Sequence, residues 1–344
     1  VQPWTCRRKK TSPELLKVAC ATSRATARTP EMRCPKPCVS PGTPASNTEG
    51  MNFMASVSVI VIRSGTLHSA GPMALRFLRH RRLKWLLPAL LVAVVFVTTD
   101  AFWFEPDSLL VVDHALDLPG WPRTLDGFRI AAVGDVHAGA PFIDEAKLED
   151  IVRRIDAANP DLIVWLGDYV IQGVAGGKFM EPEKVARILS SARARHGQVA
   201  VIGNHDRWLD PARVERAFLT AGIPFLRWGS IEIAVNGERI HVYGLDDFEL
   251  SPNYWVNFRA TRAKWDEIPA TEPILVLSHS PDVFPSLPSR VALTLASHTH
   301  GGQVRLPLLG SLIVPSSFGQ RYARGFIVEE GRRLFVNTGI GTSI

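Results

Sequence analysis

The 344-residue chain reads as an α/β protein of two packed sheets covered by helices. Three observations predict this. Short apolar runs recur, each closed by glycine or a polar turn, as buried strands are. Helical stretches separate the early runs, which is what crossovers between parallel strands require. The later runs follow one another across short turns, as hairpins do.

In chain order, residues 1–72 hold no sustained period and are rich in Pro, Ser, Thr and Ala, so little fixed structure is expected there. All four cysteines (Cys6, Cys20, Cys34, Cys38) lie in this leader, without the Cys-x-x-Cys spacing of a zinc site. The chain begins with Val, and Met51, Met54 and Met73 follow, so Met73 is the expected start of translation. Residues 73–104 change character. Arg76, Arg79, Arg81, Arg82 and Lys84 precede the uninterrupted apolar run Trp85–Val97, and Ala101-Phe102-Trp103-Phe104 follow. A positive flank before an apolar core is the pattern of a signal peptide or signal anchor. Without a good small-x-small cleavage site, an uncleaved transmembrane anchor is expected. Its basic side would be cytoplasmic, and residues 105–344 would lie outside the inner membrane of a bacterium.

Residues 105–344 carry the α/β pattern. Phe128–Val133 is a strand; Asp144 caps a helix over Glu145–Ala158 whose Leu148, Ile151, Val152 and Ile155 share one face. Asp161–Leu166 is a strand, Glu183–Ala194 a helix, Gln198–Ile202 a strand and Pro211–Ala221 a helix with proline in its first turn. Ile231–Val235 and Arg239–Tyr243 form a hairpin about Asn236-Gly237-Glu238. Ile274–Leu277 and Val291–Ala296 are strands, and Gly325–Glu329 with Arg333–Asn337 forms the last hairpin. Tyr243–Trp265 holds Phe248, Tyr254, Trp255, Phe258 and Trp265, read chiefly as core packing and alternatively as a wall of the active-site mouth.

Charge is unevenly placed. Residues 1–84 carry fifteen Lys/Arg against three Asp/Glu, so the rest of the chain is mildly acidic although the whole has a net charge of +6. An acidic body argues against a nucleic-acid groove.

The chemistry sits where the strands stop. Their ends present Asp135 and His137, Asp168, Asn204 and His205, His279, and His298 with His300. Five of the seven histidines after position 115 are at these places. Polar ligands gathered at strand ends are what an α/β active site requires. Carboxylate oxygen beside imidazole nitrogen suits Mn, Zn or Fe. Asp168, alone on its strand, is the candidate bridge between two ions, and Asn204 adds a neutral oxygen. Two cations about 3.5–4 Å apart polarise a phosphoryl oxygen and acidify water for in-line attack. His205, beside a ligand but not needed as one, is the expected proton donor to the leaving oxygen.

Gly-Asp-Val-His at 134–137, Gly-Asp-Tyr-Val at 167–170, Gly-Asn-His-Asp at 203–206, Ser-His-Ser-Pro at 278–281 and Ser-His-Thr-His-Gly-Gly-Gln at 297–303 resemble the five blocks of the calcineurin-like metallophosphoesterases. The resemblance implies a four-layer α/β/β/α sandwich. It implies that Asp135, His137, Asp168 and His300 hold one metal, that Asp168, Asn204, His279 and His298 hold the second, and that His205 is catalytic. Ser297 departs from the family's usual glycine. Gly167-Asp-Tyr-Val-Ile-Gln-Gly173 lacks the Asp and Arg of protein serine/threonine phosphatases, and Ile171 stands where purple acid phosphatases need Tyr. Gln303, Arg321-Tyr322-x-x-Gly325 and Asn337-Thr-Gly-Ile-Gly341 instead resemble the membrane-associated bacterial branch, which includes phosphodiesterases and UDP-2,3-diacylglucosamine pyrophosphatases of lipid A synthesis. The family usually continues past this Gly-Ile-Gly, so a last strand is expected to be missing.

The expected substrate is an amphiphilic or nucleotide-linked phosphodiester or pyrophosphate, hydrolysed with two divalent ions, manganese favoured. Arg207 and Arg321 are candidate phosphate-binding residues. The alternatives are a metal-poor binding scaffold of the same fold and a membrane-anchored nuclease.

Overall fold

The structure, a computed structural model, describes residues 72–104, 107–302, 305–306, 310–311 and 313–342. The chain divides into two units, Val1–Ser69 and Ala70–Ile344. The first, with the leader, its cysteines and two of the candidate start methionines, lies outside the described residues.

Helix α1, Pro72–Thr99, runs through Pro88 and winds on as a wider turn over Asp100–Phe104. It leaves Trp85, Leu87, Leu91, Val92 and Phe96 more than half exposed. No helix among the described residues is long and apolar enough to cross a membrane.

The α/β body begins with β1, Ile130–Val133, and α2, Glu145–Ala158. The Asp144 carboxylate accepts the Lys147 N–H at 2.9 Å and so satisfies one of the orphan donors at the start of α2. Asn159 ends the helix in the left-handed region. Leu148, Ile151, Val152 and Ile155 are its buried face. β2, Leu162–Trp165, and α3, Pro182–Leu189, follow. α3 stops five residues before the predicted Ala194. There the Ser190 and Ser191 hydroxyls donate to the Arg187 and Ile188 carbonyls, and Gln198 Nε2 donates to the carbonyls of Ser190 and Ala192. Serine competing in this way for backbone groups favours helix ends. β3, Gln198–Val201, leads into α4, Asn204–Leu209, a short helix absent from the periodic pattern. α5, Pro211–Thr220, starts on an Asp210 cap that accepts the Ala212 and Arg213 amides. β4, Phe225–Leu226, completes a parallel sheet of order β1-β2-β3-β4.

β5, Gly229–Val235, and β6, Glu238–Gly244, form the predicted hairpin. Its two-residue turn, Asn236 and Gly237, has positive φ at both positions, 51° and 85°, which Asn-Gly tolerates best. α6, Tyr254–Trp265, comes before β7, Ile274–Leu277, and β8, Leu293–Ala296. The short pair β9, Arg305–Leu306, and β10, Gly310–Ser311, stands apart. β11, Gly325–Glu329, and β12, Arg332–Val336, close the second sheet, of order β11-β12-β8-β7-β6-β5. Its centre is parallel and its two outer pairs are antiparallel.

The strand period of two sorts the core into layers. Leu162 and Val164 of β2 join Leu275 and Leu277 of β7 and Leu293 and Leu295 of β8 in one cluster between the sheets. Ile163 and Trp165 face outward instead, onto Leu148 and Ile151 of α2, Val185 of α3 and Val214 of α5. Ile274 and Val276 meet Tyr254, Phe258 and Trp265 of α6 on the far side. The aromatic segment is therefore mainly core, with Trp255 left exposed. Each such side chain removed from water contributes about 1.5–3 kcal/mol, and burial on both sheet faces explains the continuous apolar runs of the parallel strands.

Candidate metal centre

The loops that leave β1 and β2 are stitched together before any side chain is considered. Asp135 N–H donates to the Gly167 carbonyl at 3.0 Å, His137 N–H to Asp168 O at 2.9 Å and Ala138 N–H to Tyr169 O at 2.8 Å. Asp135, His137 and Asp168 have φ of 50°, 47° and 57°, and His298 and His300 have 74° and 50°. Asp and His enter this region more readily than most residues, yet each such residue costs on the order of 1 kcal/mol or more. For Asp135, His137 and Asp168 the amide stitching offsets that cost.

The side chains meet at one place. Asp168 Oδ2 lies 3.2 Å from His279 Nε2 and 3.7 Å from His137 Nε2, while its Oδ1 accepts the His205 N–H at 2.8 Å. Asp135 Oδ1 is 3.8 Å from His300 Nε2 and 3.9 Å from His279 Nε2. His137 and His300 stack with their Nε2 atoms 3.1 Å apart. Nε2 of His279 is 3.0 Å from Asn204 Oδ1 and 3.1 Å from His298 Nδ1. Its other nitrogen, Nδ1, is 2.8 Å from the Leu166 carbonyl, an orientation that turns Nε2 toward the cluster. Asp135/His137/His300, His137/Asp168/His205 and Asp168/His279/His298 each bring their ligand atoms within 4.8 Å of one another.

Burial makes this cluster electrostatically strained on its own. It pushes His137 down to about 3 and His298 down to about 4. Burial also lowers His279, but the Asp168 and Asp135 carboxylates outweigh it and raise the ring to about 10. Desolvation pushes Asp168 and Asp135 upward, and the surrounding imidazoles overcome it, so both stay ionised. With His137 and His298 resisting protonation, the charged His279 ring does not by itself offset two buried carboxylates, and negative charge is left over. Bonds of about 2.0–2.2 Å to a shared ion would set ligand atoms roughly 3 Å apart, as several of these are. The donor set, nitrogen and oxygen without thiolate, fits Mn, Fe or Zn.

The supporting residues were less visible in the sequence. Asp206 is fully buried, and its carboxylate accepts the N–H groups of Asp168, Tyr169 and Gly203 at 2.8, 2.9 and 3.0 Å. Gly203 is required on the same account, because a Cβ there would lie 2.1 Å from Asp168 Oδ1. The Gly-Ile-Gly near the C-terminal end closes behind the first ligand loop: Ile340 and Gly341 donate to the Asp135 carbonyl, and Asn337 Nδ2 donates to that of Ala132. Asp246 and Asp247, just past β6, form a sixth polar strand end whose signal was the Gly244-Leu245-Asp246-Asp247 stretch.

The two candidate phosphate-binding arginines do not present free guanidinium groups. Arg207 Nη1 pairs with buried Asp246 at 3.0 Å and Nη2 donates to the Leu250 carbonyl at 3.3 Å. Arg321 is held bidentately by Glu329, with both contacts at 2.7 Å. The fork that a phosphate would need is taken by a carboxylate at Arg321, and by a carboxylate and a backbone carbonyl at Arg207.

Strand ends that gather imidazoles and carboxylates into one buried cluster suit a metal-dependent hydrolase. The chain belongs to the calcineurin-like phosphoesterase family, whose model matches residues 128–309. It is 29% identical to the metallophosphoesterase YkuE of Bacillus subtilis over 70% of this chain and 82% of that protein. It is 28% identical to the UDP-2,3-diacylglucosamine pyrophosphatase LpxG of Chlamydia trachomatis, over 74% of this chain and 90% of that one. Phosphodiesterase YaeI of Escherichia coli is also 28% identical, over 73% and 89% of the two chains.

Proposed function

We propose that this hydrolase is a dinuclear-metal phosphodiesterase or pyrophosphatase that works on an amphiphilic or nucleotide-linked substrate at a membrane. The observation that carries the dinuclear reading is the position of Asp168. Its carboxylate belongs both to the group with His137 and to the group with His279 and His298. Asp135, His137, Asp168 and His300 would hold one ion, and Asp168, Asn204, His279 and His298 the other. Divalent ions in these places supply Lewis acidity toward phosphoryl oxygens and acidify water at neutral pH.

The remaining work falls to the chain. Asp168 fixes the two halves of the site relative to each other. Its Oδ1 also holds the His205 backbone, which sets the ring edge-on to His137 at 4.8 Å and to Trp208 at 4.6 Å. From there His205 donates its ring proton to the leaving oxygen. Trp208 is 59% exposed beside that donor, an apolar face available to the leaving group.

The relatives named as a UDP-2,3-diacylglucosamine pyrophosphatase and as a phosphodiesterase support the diester or pyrophosphate class. The apolar side chains exposed on α1 support action at a membrane, with UDP-2,3-diacylglucosamine as the candidate substrate and manganese as the favoured ion.

The test is hydrolysis of bis-p-nitrophenyl phosphate beside its monoester. The full chain is purified in detergent, stripped of metal and reloaded with Mn²⁺ or Zn²⁺. Diester cleavage should return with metal, and Asp168→Asn should lose more than about 100-fold, since even outer-shell partners of a metal commonly cost 10–100-fold. Metal-independent cleavage, or full activity in Asp168→Asn, would refute the dinuclear reading.

A further inference from the structure

The Asp135 carboxylate has two unequal oxygens. Oδ1 looks toward the Nε2 atoms of His300 and His279. Oδ2 accepts the Ser297 hydroxyl. The His298 N–H spans both oxygens, at 3.0 Å from Oδ2 and 3.2 Å from Oδ1. Gly339 closes over the Oδ2 side, where a Cβ would lie 2.8 Å from that oxygen.

Ser297 is itself fully buried, at the end of β8. Its side chain fits because residue 134 has none. A Cβ on Gly134 would lie 2.3 Å from Ser297 Oγ and 2.6 Å from Ser297 Cβ. The two positions are therefore one device: glycine on the β1 loop clears the space, and serine on the β8 loop fills it with a hydroxyl aimed at the carboxylate. A carboxylate without such a tie is free to turn and to offer either oxygen or both. Hydrogen bonds to the distal oxygen of a ligating carboxylate fix its orientation and tune its basicity.

We infer that Ser297 is a positioning residue of the metal centre, holding Asp135 so that Oδ1 alone faces the first cation. The inference rests on the reading of Asp135 as a ligand of that ion. Its consequence is selective. Losing the hydroxyl should weaken the ion held by Asp135, His137, Asp168 and His300, and leave the ion held by Asn204, His279 and His298 with Asp168 nearly untouched. A serine that only filled space would not discriminate between the two.

The experiment titrates the metal-stripped full chain in detergent with Mn²⁺ by calorimetry, with bound metal counted by elemental analysis. Parent protein, Ser297→Ala and Ser297→Cys are compared, with far-ultraviolet circular dichroism to verify folding. Ser297→Ala should bind one of its two ions about 10–100-fold more weakly, the usual cost of an outer-shell partner, with the other within about threefold of the parent. Ser297→Cys, of similar shape but a weaker donor, should fall between them. Should Ser297→Ala not fold, Ser297→Gly carries the same comparison. Two ions bound by the alanine or glycine variant as tightly as by the parent would overturn the role of Ser297 alone. A folded parent that binds no ion would overturn it together with the metal centre.

Discussion

His205 is set apart from its neighbours by where its ring lies. It shares a ligand group with His137 and Asp168, but it is half-buried, fixed through its backbone to Asp168 and flanked by His137 and exposed Trp208. A proton donor matters in proportion to how badly the leaving oxygen needs a proton. Replacing His205 with alanine should therefore cost about 10²–10⁴-fold for a diester with an alkyl leaving group. With p-nitrophenolate, stable as an anion, the loss should be far smaller. The measurement is kcat/KM for both diesters in the metal-loaded parent and variant. Equal losses on the two substrates would make His205 a ligand or a structural residue instead of the donor. The candidate ligands are legible in the sequence because each ends an apolar run. Asp206 is not, since its work is done on three backbone amides that only the folded chain brings together.

At the scale of elements, the site depends on α4 being pinned beside the loop that follows β6. Arg207 on α4 reaches Asp246 at 3.0 Å, and Arg227 reaches both Asp246 and Glu215. The Asp246 side chain is 4% exposed and that of Arg207 10%. Removing one member of a buried pair strands the other, at a cost of about 3–5 kcal/mol. Arg227 remains 3.3 Å from Asp246, so the low end of that range is expected for Arg207→Ala. The variant should melt at lower temperature while its KM for bis-p-nitrophenyl phosphate, at saturating metal, stays within about threefold. A large rise in KM with unchanged melting would restore Arg207 as a phosphate-binding residue. The sequence showed a basic residue next to a motif but could not show its partner, which lies 39 positions away on another strand end. The periodic elements were easier. α2 begins and ends where its cap and apolar stripe place it, whereas α3 ends early through serine side chains that the periodicity does not register.

For the whole molecule, the open question is what seats the enzyme at its substrate. The residues after position 84 carry more acid than base, so the body itself has no electrostatic hold on an anionic lipid surface. On the proposed membrane reading the hold comes from α1, where Trp85, Leu87, Leu91 and Phe96 are exposed, and from the turn beyond it, where Trp103 and Phe104 are exposed. Wound as an α-helix throughout, Trp85 to Trp103 would rise about 27 Å, and the wider turn over Asp100–Phe104 shortens this against the roughly 30 Å of a bilayer's hydrocarbon; an indole stands at each end, as at membrane interfaces. The wholly apolar stretch Trp85–Val97 is shorter than that, so an anchor here would need the flanking aromatics and the basic run that ends at Lys84. Leu87→Asp with Leu91→Asp puts two carboxylates in the middle of the apolar stretch, at about 2.5–3.5 kcal/mol each. The parent should sediment with membranes and resist a high-salt wash. The double variant should move to the supernatant while keeping its metal-dependent diesterase activity, because neither residue touches the site. Added protease should cut the catalytic domain from the outer face of intact spheroplasts if that domain lies outside the cytoplasm. A parent protein that is soluble after lysis without detergent would show that α1 packs against protein, and the substrate need not then be lipid-linked.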